Sequence, residues 1–282
     1  MIYKTKGEII MKLGISARWE HTSPEDWAEK MTALGCTSVV FPTDYHSDAA
    51  LIDEYVKAAT EYNLVIAEVG SWCNPLSPDK AESERGFERC VEQLKLADYV
   101  NAKCCVNISG AAGEIWDGAY AENFSEAFYE KTVKSIRDII DAAKPKNTFY
   151  TIEPMPWIVP TSPDEYVKLM RDVASNRFAV HMDMTNWMCT PRRVLCQREF
   201  MDEAFDKLGK YIKSCHLKDV RLEKGLTFKA QEVMCGQGGF DMDYYVSKIN
   251  DLDPDMPVMI EHLHSEEEFT ESVKYVRSRF IK

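Results

Sequence analysis

The chain has 282 residues, enough for a large buried core, and barrels of this length fold as one domain. Its 34 Lys and Arg against 46 Asp and Glu leave a net charge of −12 with no basic run, which argues against nucleic acid and for a small, roughly neutral substrate. Nine cysteines, an odd number without a C-x-x-C pair and mostly within apolar stretches, read as reduced thiols of a cytoplasmic protein; no apolar run suits a bilayer, and MIYKTKGEIIMKLGIS is too interrupted for a signal peptide.

In chain order, a strand-like run is followed by a helix-like one, and the pair repeats. Residues 1–8 read as an N-terminal extension and residues 9–282 as the domain, because the regular pattern starts near Ile9. IIMKLGIS is the first strand. Ser23-Pro24-Glu25-Asp26 then supplies a capping hydroxyl and a first-turn proline for a helix that Gly35 closes. TSVVFP precedes a helix over 49–62, LVIAEV one over 78–99, and KCCVNISG one over 125–143. TFYTIEP is followed by Ser162-Pro163-Asp164-Glu165, the same helix opening as the first. FAVHMD leads through a loop to REFMDEAFDKLG, and IKSCHLKD through a polar, glycine-containing excursion to DMDYYVSKIND. PVMIEHL is the eighth strand, and a helix capped by Ser265 ends the chain.

Eight strand runs, each trailed by a helix, predict a parallel sheet covered by helices and closed as a single (β/α)8 TIM barrel. The rival, an open doubly wound sheet, calls for a glycine-rich phosphate turn after its first strand, and GISARWEHTSPED has none.

In such a barrel the chemistry gathers at the C-terminal ends of the strands. Glu153, Asp183, His216 and Glu261 each stand there, on four consecutive strands. Any one alone reads equally well as the start of a solvated loop; together they have the composition of a site for a hard or borderline divalent cation. Alternation puts His181 on the face of Asp183, as a fifth ligand or, one strand residue deeper, as a hydrogen-bonded interior histidine. Lys218 shares the face of His216, to steady an oxyanion or to point outward into a salt bridge. Trp157 in PMPWIVP either walls a pocket or packs under its loop, and His262 points by alternation toward the helix layer.

Glu153, the D-x-x-N of Asp183 and Asn186, the H-x-K-D from His216 and the E-H-L from Glu261 resemble the xylose-isomerase-like superfamily of sugar isomerases and epimerases. The similarity runs from LGIS to EHL, with echoes in AEVGSWCNPLSPD and AAGEIWDGAYAENFS. It implies one divalent cation, foremost Mn²⁺ with Mg²⁺, Co²⁺ or Zn²⁺ as alternatives, held by Glu153, Asp183, His216 and Glu261. It also implies that Glu153 and Glu261 move the proton of a metal-stabilised enediolate, with Trp72, Trp157, Asn186 and Lys218 around a sugar, keto-sugar or cyclitol. By the same resemblance the protein is a homo-oligomer. Where the ketose 3-epimerases of the superfamily carry a histidine three residues after the aspartate, this chain has Asn186, so the substrate does not carry over. His181 or a group on the loop after the fourth strand stays open as an alternative base.

A lyase of the superfamily would form the same enolate and expel a β-substituent, with room for it under the Trp116 loop. An apurinic-site endonuclease needs a basic face and more histidine ligands than the six here supply, and a non-catalytic carbohydrate-binding barrel would not need all four ligands.

Overall fold

A computed structural model describes residues 11–280. The expected extension, residues 1–8, and residues 9, 10, 281 and 282 of the expected domain lie outside the described residues. The barrel strands are β1 (Lys12–Ile15), β2 (Ser38–Val40), β3 (Val65–Gly70), β4 (Cys104–Asn107), β5 (Tyr150–Ile152), β6 (Phe178–Asp183), β7 (Ile212–Leu217) and, after a hairpin of β8 (Asp219–Leu222) and β9 (Ala230–Val233), β10 (Pro257–Ile260). They pair in parallel in the order β1-β10-β7-β6-β5-β4-β3-β2.

The seam between β1 and β2 is closed more sparsely. Thr37 N–H donates to the Leu13 carbonyl at 2.7 Å, and the Ser38 hydroxyl to the Lys12 carbonyl at 2.8 Å. Gly14 allows this approach, because a Cβ there would stand 2.3 Å from the Ser38 carbonyl oxygen.

Both Ser-Pro openings behave as the sequence predicts. Ser23 accepts the Asp26 N–H before α1 (Pro24–Leu34), and Ser162 that of Glu165 before α5 (Pro163–Val173). Helices α2 (Ala49–Glu61), α3 (Lys80–Tyr99), α4 (Glu126–Ala143), α7 (Gln197–Leu208), α8 (Met242–Leu252) and α9 (Glu266–Phe280) occupy the expected places. A short α6 (Pro191–Leu195) lies in the stretch expected to be a loop before α7. The cysteines are free thiols, and those in the strands, Cys104, Cys105 and Cys215, are buried.

Two interior contacts set the strand ends that matter for the site. An irregularity between Val180 and His181 shifts the β6–β7 register so that Asp183 lies opposite His216. On α8, the Tyr245 hydroxyl lies 3.2 Å from the carbonyls of both Met182 and His216, tying the ends of β6 and β7 together from outside.

The polar, glycine-containing excursion after the seventh strand holds structure that the sequence reading did not predict: β8 and β9 form an antiparallel hairpin. Its base is pinned by Asp219, 2% exposed, whose carboxylate accepts the backbone N–H groups of Val220, Gly236, Gly238 and Phe240 at 2.8–3.1 Å. The glycines of CGQGG thus cradle an anion, and it is the protein's own.

Gly14→Ala is expected to cost about 1–3 kcal/mol, the usual penalty for a group forced into a packed interior. A chemical denaturation midpoint equal to wild type would contradict the role assigned to the seam. Asp219→Ala leaves four backbone donors without their charged acceptor and is expected to cost about 3 kcal/mol, with faster amide exchange at Gly236 and Gly238.

Candidate metal centre

Asp183 ends β6, His216 is next to last in β7, and Glu153 and Glu261 each follow their strands by one residue. Their side chains meet inside the C-terminal rim, at exposures of 0%, 1%, 5% and 6% respectively. From His216 Nδ1 the nearest carboxylate oxygens lie at 3.0 Å on Glu261, 3.2 Å on Glu153 and 3.7 Å on Asp183. One ligand atom from each of the four lies within 4.8 Å of all the others, a spacing compatible with a shared cation.

Lys218 points inward. Its Nζ lies 2.7 Å from both Asp183 Oδ2 and Glu261 Oε1 and donates to Asn186 Oδ1 at 2.8 Å. Asn186 in turn donates from Nδ2 to Glu153 Oε1 at 3.0 Å, so it spans the two sides of the cluster. Despite the nearby ammonium, Asp183 Oδ2 and Glu261 Oε1 have no partner in hydrogen-bond geometry. Both oxygens rest on the single ammonium of Lys218, so the acids outnumber the cations beside them, an imbalance that a bound cation would relieve.

Burial and the Glu261 charge push the Glu153 carboxyl up to about 7. Burial would raise Glu261 too, but His216 and Lys218 beside it prevail and hold it at about 2. Burial likewise opposes the charges of Asp183, His216 and Lys218, and their mutual attraction overcomes it: the carboxyl of Asp183 sits well below its ordinary range and the two bases well above theirs.

Beneath this layer lies a second cluster. Glu68, in the middle of β3, lies 3.4 Å through Oε2 from His216 Nε2 and 3.5 Å through Oε1 from His181 Nδ1, and it receives the Ser214 hydroxyl. A carboxylate on Nε2 of His216, the nitrogen facing inward, fixes which nitrogen faces the upper cluster, here Nδ1. Sequence reading missed Glu68; the signal available was one carboxylate inside the otherwise apolar LVIAEV. His181 is interior as expected, but neither ring nitrogen has a hydrogen-bond partner, which corrects its reading as a hydrogen-bonded histidine. Burial, reinforced by the charge of His216, pushes His181 down to about 4.

His262 belongs at the site's edge, a further correction. Alternation fails because its backbone is left-handed, with φ of 58°, and this turns the ring back toward the cluster. Its Nδ1 lies 2.8 Å from Glu232 on β9 and 3.4 Å from Lys218 Nζ.

Trp72 and Trp157 fare differently. Trp72 is half-buried and lines a cleft of about 650 Å³ over the ends of β1, β2 and β3. Trp157 is 38% exposed and donates from Nε1 to the Asp117 carbonyl at 2.8 Å, so it packs on the loop after β4 and is not among the residues lining that cleft.

The position of His181 has a measurable consequence. Its folded value lies below the ordinary 6.5, so between pH 6.5 and about 4 the unfolded chain binds the extra proton, and stability falls as pH falls through that window. His181→Gln is expected to flatten the metal-free protein's stability profile there by up to about 1.4 kcal/mol per pH unit. An unchanged slope in denaturation midpoints would show that the ring protonates in place.

Among the described residues no helix is long and apolar enough to cross a membrane. The family model described as xylose isomerase-like TIM barrel matches residues 28–279. Among solved structures, a xylose isomerase-like TIM barrel protein from Mycobacterium smegmatis in complex with magnesium aligns at 15% identity, over 91% of this chain and 89% of that one, with a TM-score of 0.67. The probable 3-DHS dehydratase involved in petrobactin synthesis from Bacillus anthracis aligns at 16% identity, over 95% and 100%, with a TM-score of 0.73. D-psicose 3-epimerase from Clostridium cellulolyticum H10, solved with D-tagatose, aligns at 15% identity, over 96% and 100%, with a TM-score of 0.70. No curated protein matches the chain in sequence. Identities this low establish the fold, and the family follows from the matched model: the chain belongs to the xylose isomerase-like TIM barrel family.

Proposed function

We propose that this chain is a divalent-metal-dependent isomerase or epimerase of a small sugar or keto-sugar. The reading is carried by the convergence of Glu153, Asp183, His216 and Glu261, with ligand atoms within 4.8 Å of one another and three buried carboxylates at one point. Three carboxylates and one imidazole favour Mn²⁺, with Mg²⁺, Co²⁺ and Zn²⁺ as alternatives. The Mycobacterium smegmatis neighbour was solved in complex with magnesium, which agrees with a hard cation.

When bound, the cation would polarise a substrate carbonyl and its neighbouring hydroxyl, lowering the cost of charge on oxygen as the adjacent carbon loses its proton. The chain's own residues then have separable tasks. Glu153 and Glu261 follow strands that are not neighbours, β5 and β10, and would serve a substrate carbon from two sides, as removal and return of a proton to opposite faces requires. In the metal-free chain Glu153 is pushed up to about 7 and Glu261 held at about 2, so of the two carboxyls Glu153 is the readier to take a proton. Asn186 fixes the Glu153 carboxylate, and the Lys218 ammonium is placed to hold negative charge developing on a substrate oxygen.

A lyase acting through the same enolate is the second reading, and one observation favours it. His262, paired with Glu232 at 2.8 Å and 52% exposed at its side chain, stands beside Glu261 where a departing group could take a proton.

Purified protein is expected to hold about one divalent ion per chain, lost in Asp183→Asn and on EDTA treatment. Glu153→Gln is expected to lower kcat by at least about a hundredfold, the lower end of what general acid–base catalysis contributes. Activity that survives complete metal removal would sink the site. Turnover of ketoses, keto-inositols and keto-glycosides in deuterated water separates the readings: deuterium in recovered sugar marks an isomerase or epimerase, and a dehydrated product or released substituent marks a lyase.

A further inference from the structure

The proposed reaction occupies the ends of β5, β6, β7 and β10, leaving the cleft over β1, β2 and β3 without a task. Its volume of about 650 Å³ lies mid-range among clefts that enclose drug-sized ligands, roughly 300–1,000 Å³, whereas a monosaccharide has only about a dozen heavy atoms. The cleft lies on the strand next to the cluster: the N–H of Ser16, in its wall, donates at 2.7 Å to the carbonyl of Ile260, the residue before Glu261.

Its lining is aromatic and electrically balanced. Trp19 and Trp72 are both half-buried and so present part of each indole. The Trp72 indole folds back over the end of β3, where a Cβ on Gly70 would stand 2.3 Å from its Nε1. Arg18 and Arg89 are matched by Glu20 and Asp44, so no net charge selects an ionic ligand. Several polar side chains in the wall are already committed to the protein: Arg89 donates to the Ser71 carbonyl, Gln93 to that of Gly70, and His21 contacts the Trp19 carbonyl and the Tyr55 hydroxyl.

We propose that the substrate is a glycoside-sized molecule whose uncharged ring substituent, either a second sugar or an aromatic aglycone, lies in this cleft against Trp19 and Trp72. The assignment rests on the reaction site proposed above: the reacting sugar sits at the cluster and its substituent reaches toward β1–β3. A flat indole suits the apolar face of either kind of ring at little cost in lost side-chain freedom.

Binding of glucose, cellobiose and phenyl β-glucoside to the metal-loaded protein, read by calorimetry and tryptophan fluorescence, tests this. At least one ring-bearing probe is expected to bind about tenfold more tightly than glucose; gain with cellobiose identifies a second sugar, and gain with the phenyl glucoside an aglycone. Trp72→Ala and Trp19→Ala are each expected to remove most of that gain, and Trp72→Phe to keep part of it, with metal content unchanged in all three. Equal affinities for the three probes, or a gain untouched in both alanine variants, would overturn the proposal. The deuterium-exchange panel, run in parallel, keeps the two readings apart. Exchange without a ring-dependent gain removes the cleft's role alone, and a ring-dependent gain without exchange removes the reaction alone.

Discussion

The carboxylates of Glu68, Glu153, Asp183 and Glu261 lie at exposures of 6% or less, and an ionised carboxylate in such surroundings costs several kcal/mol unless a partner offsets it. His216 and Lys218 are the buried cations set among them, and their contacts of 2.7–3.7 Å reach all four acids. Four negative charges against two positive leave a deficit of two. The polypeptide alone reduces it by letting Glu153 keep a proton up to about pH 7, and a divalent cation of the proposed kind would remove it. The same imbalance thus stabilises a proton on one glutamate and an opening for a metal among its neighbours. Much of the barrel serves to hold this arrangement: the β6–β7 irregularity sets Asp183 opposite His216, and Tyr245 fastens both strand ends.

How much of this could be read from the sequence depends on how local each signal is. The Ser23-Pro24 and Ser162-Pro163 openings act within a few residues of themselves, and both helices start where those residues predict. The eightfold alternation carries the barrel, because parallel strands require the crossover helices that separate them. The four cluster residues were legible because closure sends every strand end to one rim, and Lys218 because period two keeps it on the face of His216. Glu68 was not, since Ser214 and His216, its partners, lie 146 and 148 residues away and nothing in LVIAEV refers to them. His262 escaped for the opposite reason. A single left-handed residue just past a strand cancels the alternation on which its exclusion rested. The β8–β9 hairpin was hidden by brevity, with strands of four residues each and mixed polarity.

Asn186 marks where resemblance and physics part. At the place where the ketose 3-epimerases carry a histidine, a side-chain amide here donates to Glu153 and accepts from Lys218. An amide does not titrate, so this position orients a carboxylate and an ammonium without competing for their protons. In the proposed reaction the protons are then left to the two glutamates.

The Asp219 pin also bears on how such a barrel can change over generations. Its carboxylate gathers four amides, those of Val220, Gly236, Gly238 and Phe240, at the base of the hairpin just beyond His216 and Lys218, while the tip, at Leu226, is fully exposed. Anchorage and reach are thus assigned to different residues. Insertions or exchanges at the tip can remodel what passes over the rim while the anchored base keeps the reacting groups in register, so a new specificity can be tried without first dismantling the old chemistry.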